Sequence, residues 1–270
     1  MPILMMHAAG YFLSMFIGFS LSLIGGGGSI LTIPVLVYFF RIDPVLATTY
    51  SLFVVGLAAI AGSVNYYRMN SIDYATVFEF GVPSVIVLLI MRRWLLPLIP
   101  SIIFQFHSLV LSKSLLILAV FSATMLVASF SMIRSKRYSI PAEGLSYGRL
   151  VLQGSITGAL TGFIGIGGGF IIVPSLVLFA GLPMKKAIGT SLVIITANCL
   201  VGVLGDLRTV ESLDLPFLAT FALFAILGII AGTWAIRFIP DKQLKPAFGW
   251  IILSLSIMML IRTIMSVEHI

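Results

Sequence analysis

Apolar residues run through the chain in blocks at roughly 8–24, 29–40, 45–67, 74–98, 112–133, 148–164, 169–180, 186–205, 214–239 and 244–265, bounded by charged residues or proline. Most blocks approach the roughly 20 residues that carry a helix across about 30 Å of hydrocarbon. A strand barrel would alternate polar and apolar residues in short segments, and these blocks do not, so the pattern predicts an all-α polytopic membrane protein. The amino-terminal MPILMMHAAGYFL has no basic region and no small-residue cleavage site ahead of its apolar run, and it reads as a retained helix rather than a removed signal.

The pattern occurs twice. SLIGGGGSILTIP returns about 140 residues later as FIGIGGGFIIVP, so that Ile24, Gly25, Gly27, Gly28 and Pro34 fall on Ile164, Gly165, Gly167, Gly168 and Pro174 without a gap. The same offset carries Ala47 and Ser51 onto Ala187 and Ser191, Gly62 onto Gly202, and Trp94 onto Trp234. This predicts two pseudo-symmetric halves of about four hydrophobic segments each, residues 1–134 and 147–270, joined by a basic linker at 135–146. Each half opens with about 33 apolar residues, which as one straight helix would be roughly 50 Å long and too long for an upright crossing. The first segment of each half is therefore expected to break at its glycine-rich turn.

Such a break has a chemical use. Irregular backbone at membrane depth survives only where protein buries it or where it lines a cavity. The half-helix that follows begins near Ser29 or Thr32 in the first copy and near Gly169 or Ile172 in the second, with Pro34 and Pro174 in or near its first turn. Its amino end presents unpaired N–H groups and partial positive charge, a ready anion site. The expected substrate-binding residues are Gly27, Gly28 and Ser29, Gly167, Gly168 and Gly169, with hydroxyls from Thr49, Ser51, Thr190 and Ser191 and the amide of Asn198. Gly158, Gly162, Gly228 and Gly232, spaced by four, are instead expected to let helices pack closely.

Composition narrows the chemistry. Of 270 residues 60% are hydrophobic and 9% charged, and the mean hydropathy is +1.17. The net charge of +7 reads as basic loops that set membrane orientation, not as a nucleic-acid surface. Cys199 is the sole cysteine, and His7, His107 and His269 are scattered, so no disulfide framework, metal site or cofactor is expected. Glu79, acidic within an apolar run, is a candidate for proton coupling. Arg92, Arg93, Arg208 and Arg237 stand at segment ends and read as snorkelling anchors, while Trp94, Trp234 and Trp250 fit interfacial belts.

The repeated glycine-and-proline pattern, GGGGSILTIP and GIGGGFIIVP, the segments ATTYSL and AIGTSL that follow, and the closing GIIAGTWAIRFIP together resemble the sulfite exporter TauE/SafE family of membrane permeases. The resemblance covers nearly the whole chain. It implies a multi-pass protein of a prokaryotic plasma (inner) membrane that moves a small sulfur-containing anion such as sulfite, sulfoacetate or another organosulfonate. The first copy departs from the pattern at Ser29 and at Tyr50, which stand where the second has Gly169 and Thr190, so unequal halves are expected.

The leading expectation is a permease working by alternating access, with no enzymatic step and with the lipid bilayer and the anion as partners. An anion channel is the alternative. An intramembrane serine hydrolase ranks below both, because its base would have to be His7 or His107, neither of them duplicated. Topology stays open between parallel halves, if 8–40 crosses fully, and inverted halves, if it turns back at the glycines. The shortness of 29–40, about 18 Å as a helix, favours inversion. Homo-oligomerisation is left open.

Overall fold

The computed structural model describes residues 2–25, 27–100, 102–106, 109–134, 147–165, 167–206, 213–238, 246, 249–250 and 252–261. The side chains of 2–9, 24, 27–30, 104–111, 131–132 and 237, and the linker 135–146, lie outside that description. In chain order the helices are α1 (Pro2–Ile24), α2 (Gly27–Pro34), α3 (Pro44–Arg68), α4 (Tyr74–Leu98), α5 (Lys113–Arg134), α6 (Tyr147–Ile164), α7 (Gly169–Leu178), α8 (Met184–Asp206), α9 (Leu215–Ala235) and α10 (Ile252–Ile261). Among the described residues, five of them, α3, α4, α5, α8 and α9, are long and apolar enough to cross a membrane.

Helix ends follow local chemistry. Asp43 caps α3 through a bond from the Val45 N–H, Asp73 caps α4 from Thr76, and Asp214 caps α9 from Phe217. Pro44 and Pro216 occupy first-turn positions, where a missing N–H costs least. Pro34 and Pro174 are not in the first turn as expected: Pro34 closes α2 and Pro174 lies inside α7. Helix α2 starts at Gly27, two residues before Ser29, whereas α7 starts at Gly169 as expected. Past Pro34 the chain widens into i→i+5 turns over Val35–Phe39. Similar wide turns at Val77–Gly81 and Met91–Leu95 precede or enclose the approach to Pro83 and Pro97, relieving the clash of each ring with the carbonyl four residues back.

Between α4 and α5 the chain forms a small antiparallel hairpin, Ile102–Phe106 with Leu109–Ser112, in which Gln105 pairs with Val110. Its run of β-branched and aromatic residues suits strands, and among the described residues it is the strand pairing that the hydropathy pattern did not announce.

Three packing contacts organise the bundle. Helix α1 lies along α9, where a Cβ at Gly18 would strike the Ala225 carbonyl and one at Gly228 the Met15 carbonyl. Helix α6 lies along α4, with Gly154 over Phe80, Gly158 over Ser84 and Gly162 over Leu88. Glycines here let backbones approach within reach of dispersion forces, the main source of helix association in lipid. At the centre α3 and α8 run antiparallel: Thr49 bonds Asp206, Gly56 faces Cys199, and Tyr66 faces Gly189. Both helices are more than half buried, unlike α4 or α9. All three tryptophans, at 94, 234 and 250, are on the outside. Past α2 the chain folds back along α1, because the Phe40 ring fills the space beside Gly10.

Candidate substrate site

Both breaks are built from backbone that other residues resist. Gly165, Gly167 and Gly168 have φ of 79°, 67° and 82°, all left-handed, and Gly25 has 69°. Each is also crowded: a side-chain carbon at Gly165 would fall on Thr48 and on Nη2 of Arg92, at Gly167 on Sγ of Cys199, and at Gly168 on Thr161. The run is therefore a shaped turn held from several sides. Its carbonyl at Gly168 accepts from the N–H groups of Ile171 and Ile172, starting α7.

The first break rests on α8, where Ser191 Oγ donates to the carbonyl of Gly25 at 3.0 Å and to that of Ile188 at 2.8 Å. Gly167 of the second break meets the same helix at Ile195 and Cys199. Eight residues of helix, about 12 Å, thus separate the points at which α8 receives the two breaks.

The expected site residues divide by what they bond. Gly27 and Gly28 open α2, Gly169 opens α7, and the Ser29 side chain lies outside the described residues. Ser51 Oγ is fully buried and has no hydrogen-bond partner among the described residues. Thr190 Oγ1 accepts from the Asp73 N–H at 2.9 Å, which ties α8 to the start of α4. Asn198 Nδ2 donates to Ser84 Oγ at 3.1 Å, a second tie between α8 and α4. Thr49 Oγ1 donates to Asp206 Oδ2 at 2.7 Å. Glu79 is half-buried in the wide turn near the start of α4.

The sequence reading missed a charged centre. Arg92 is no snorkelling anchor: it is 3% exposed and pairs with the equally enclosed Asp206 across the α4–α8 contact. The wide turn Met91–Leu95 turns Arg92 inward while Arg93 and Trp94 stay outside. One signal for it was available, since Asp206 closes an apolar span and a carboxylate there needs a partner. Which arginine supplies that partner depends on a helix distortion that periodicity does not reveal.

Beside this pair lies a cavity of about 250 Å³ whose polar lining is Asp43, Thr49, Arg92, Lys113 and Asp206. Lys113, delivered by the hairpin, donates to the Leu96 carbonyl at 2.6 Å. The guanidinium nitrogens Nε and Nη2 of Arg92 have no hydrogen-bond partner among the described residues, and Nη2 faces Gly165 of the second break.

An apolar helical bundle with interrupted helices and ion-paired charge enclosed between its spans defines a multi-pass membrane transporter. The chain belongs to the sulfite exporter TauE/SafE family, whose model matches residues 11–259. It is also 32% identical over 254 residues to proteins described as probable membrane transporter proteins of Xylella fastidiosa strains 9a5c and Temecula1, the match spanning 92% of this chain and 92% of each relative. No solved structure matches it.

Proposed function

We propose that the chain is a prokaryotic inner-membrane permease for a small sulfur-containing anion, sulfite, sulfoacetate or another organosulfonate, held between two halves at the broken-helix amino ends. The single observation carrying this reading is that both glycine breaks, one from each half, lodge against α8 at Ser191 and at Cys199. An anion there meets unpaired N–H groups with no basic side chain required. The antiparallel course of α3 and α8 supports inverted halves, because each is the third helix of its half in the order α1–α5 and α6–α10. Rocking of one half against the other then exposes the site to each side in turn. If the cycle is proton-coupled, Glu79 carries the proton.

The test is uptake into liposomes. Saturable uptake of sulfite or sulfoacetate that a labelled pool of the same anion accelerates from the far side is expected, and Gly168→Leu, checked for folding by size exclusion, abolishes it. Uptake linear in concentration to the highest level tested would point to a channel. A folded wild-type protein that moves neither anion would overturn the reading.

A further inference from the structure

The glycine breaks do not explain why a bilayer-embedded bundle encloses a full ion pair. Burying two charges is costly even when they face one another, and hydrophobic replacements are often as stable, so retention of the pair asks for a use. Two features of Arg92 point to one. Nη1 serves Asp206, whereas Nε and Nη2 are buried and have no hydrogen-bond partner among the described residues. Those two nitrogens form one edge of the guanidinium fork, the edge that takes two oxygens of a carboxylate, sulfonate or phosphate in parallel.

The surroundings favour an anion at that edge. Nη2 faces Gly165, so the fork stands at the second glycine break, and Arg92 also lines the cavity of about 250 Å³ that Thr49 and Lys113 share. Lys113 uses one bond on the Leu96 carbonyl and has further N–H groups to give. Among the described residues the first break has no such charged neighbour at the positions that match by the repeat offset: Tyr66 stands for Asp206 and Gly232 for Arg92, and Tyr66 donates to the Ser22 carbonyl. The carboxylates Asp206 and Asp43 match the two cations Arg92 and Lys113 in formal charge, so the cavity lining carries no net formal charge.

We propose that Arg92, with Lys113 and Thr49, is the side-chain ligand set for an oxyanion at the second glycine break, and that Asp206 is the internal anion holding Arg92 while the site is empty. The sulfur-oxyanion class rests on the permease reading above. Substrate and Asp206 compete for one guanidinium, so binding loosens the α4–α8 tie that the ion pair makes. That links occupancy of the site to movement between α4 in the first half and α8 in the second.

Calorimetric titration of sulfite into the purified full-length protein in detergent tests this, with chloride as the control. Wild type is expected to bind sulfite in preference to chloride. Asp206→Asn removes the competitor and binds about fivefold or more tightly, Lys113→Gln binds about threefold more weakly, and the charge-neutral double variant Arg92→Gln with Asp206→Asn loses at least about tenfold against wild type. The double variant avoids stranding one buried charge and serves if a single variant does not fold. Equal affinity in wild type and the double variant would overturn the ligand assignment, as would failure of both wild type and Asp206→Asn to bind sulfite. Liposome uptake separates the two readings: binding as expected without uptake overturns the permease alone, and uptake with a KM unchanged in the double variant overturns the Arg92 site alone.

Discussion

Tyr50 in α3 accepts a hydrogen bond on its phenol oxygen from the backbone N–H of Asp214, which caps α9. Thr190 in α8 receives the corresponding bond from the N–H of Asp73, which caps α4. Tyr50 and Thr190 stand 140 residues apart in matching stretches of sequence, and two unlike side chains do one job: Tyr50 holds the cap of α9 and Thr190 the cap of α4. Each residue thus has a structural partner at the start of another helix.

Removing either acceptor leaves a partly buried N–H unpaired. Tyr50→Phe and Thr190→Val should each cost about 1 kcal/mol. Thermal unfolding in detergent would register this as a drop of a few degrees with transport retained, and a loss of transport at unchanged stability for Thr190→Val would return Thr190 to the substrate site.

The buried pair should behave non-additively. Asp206→Ala strands Arg92 in the bundle and should cost about 3–5 kcal/mol, and Arg92→Met should cost a similar amount, while the double variant Arg92→Met with Asp206→Ala should cost much less than their sum. A double-mutant cycle on thermal stability measures the coupling; additive losses would mean that the two charges do not interact.

Glycines of different kinds should tolerate change differently. Gly158→Val drives a side chain into the Ser84 carbonyl and should prevent recovery of folded protein. Gly181, also left-handed at φ 65°, has open space where a Cβ would go, so Gly181→Ala meets backbone strain alone, about 1 kcal/mol. Expression and size exclusion of the two variants side by side would show the contrast.

If the cycle is proton-coupled, Glu79 is the proposed relay. Uptake by Glu79→Gln should then lose the pH dependence that wild type shows. A pH profile matching wild type removes Glu79 from the cycle.

Cys199, the sole cysteine, packs its sulfur against Gly167 and is fully buried. The alternating access proposed above would part α8 from the second break. N-ethylmaleimide should leave Cys199 unmodified at rest and label it during turnover with sulfite, as read by intact mass. Labelling that turnover does not change would argue for a static pore.

Much of the architecture was legible because a bilayer makes few demands and states them plainly. Long apolar runs become helices since nothing else satisfies the backbone there, and Pro44–Arg68 and Met184–Asp206 follow blocks seen in the bare sequence to within a few residues. The glycines that carry left-handed backbone, Gly25, Gly165, Gly167 and Gly168, lie in the glycine-rich stretches that stand out in the sequence. The sequence also carried the family and the identity of the close-packing glycines Gly158, Gly162, Gly228 and Gly232.

Tertiary structure decided which polar groups meet. Asn198, Thr190 and Ser191 looked alike as candidate ligands, yet they bond Ser84, the Asp73 N–H and the Gly25 carbonyl respectively. Arg92 looked like an anchor among arginines at helix ends, and only the wide turn at Met91–Leu95, with α8 antiparallel to α3, brings it to Asp206 and the second break. Hydropathy and spacing report each residue's relation to its own helix and to the bilayer. A pairing between charges more than a hundred residues apart depends on how helices rotate and cross, which is fixed by packing of the whole bundle and by no local stretch of it.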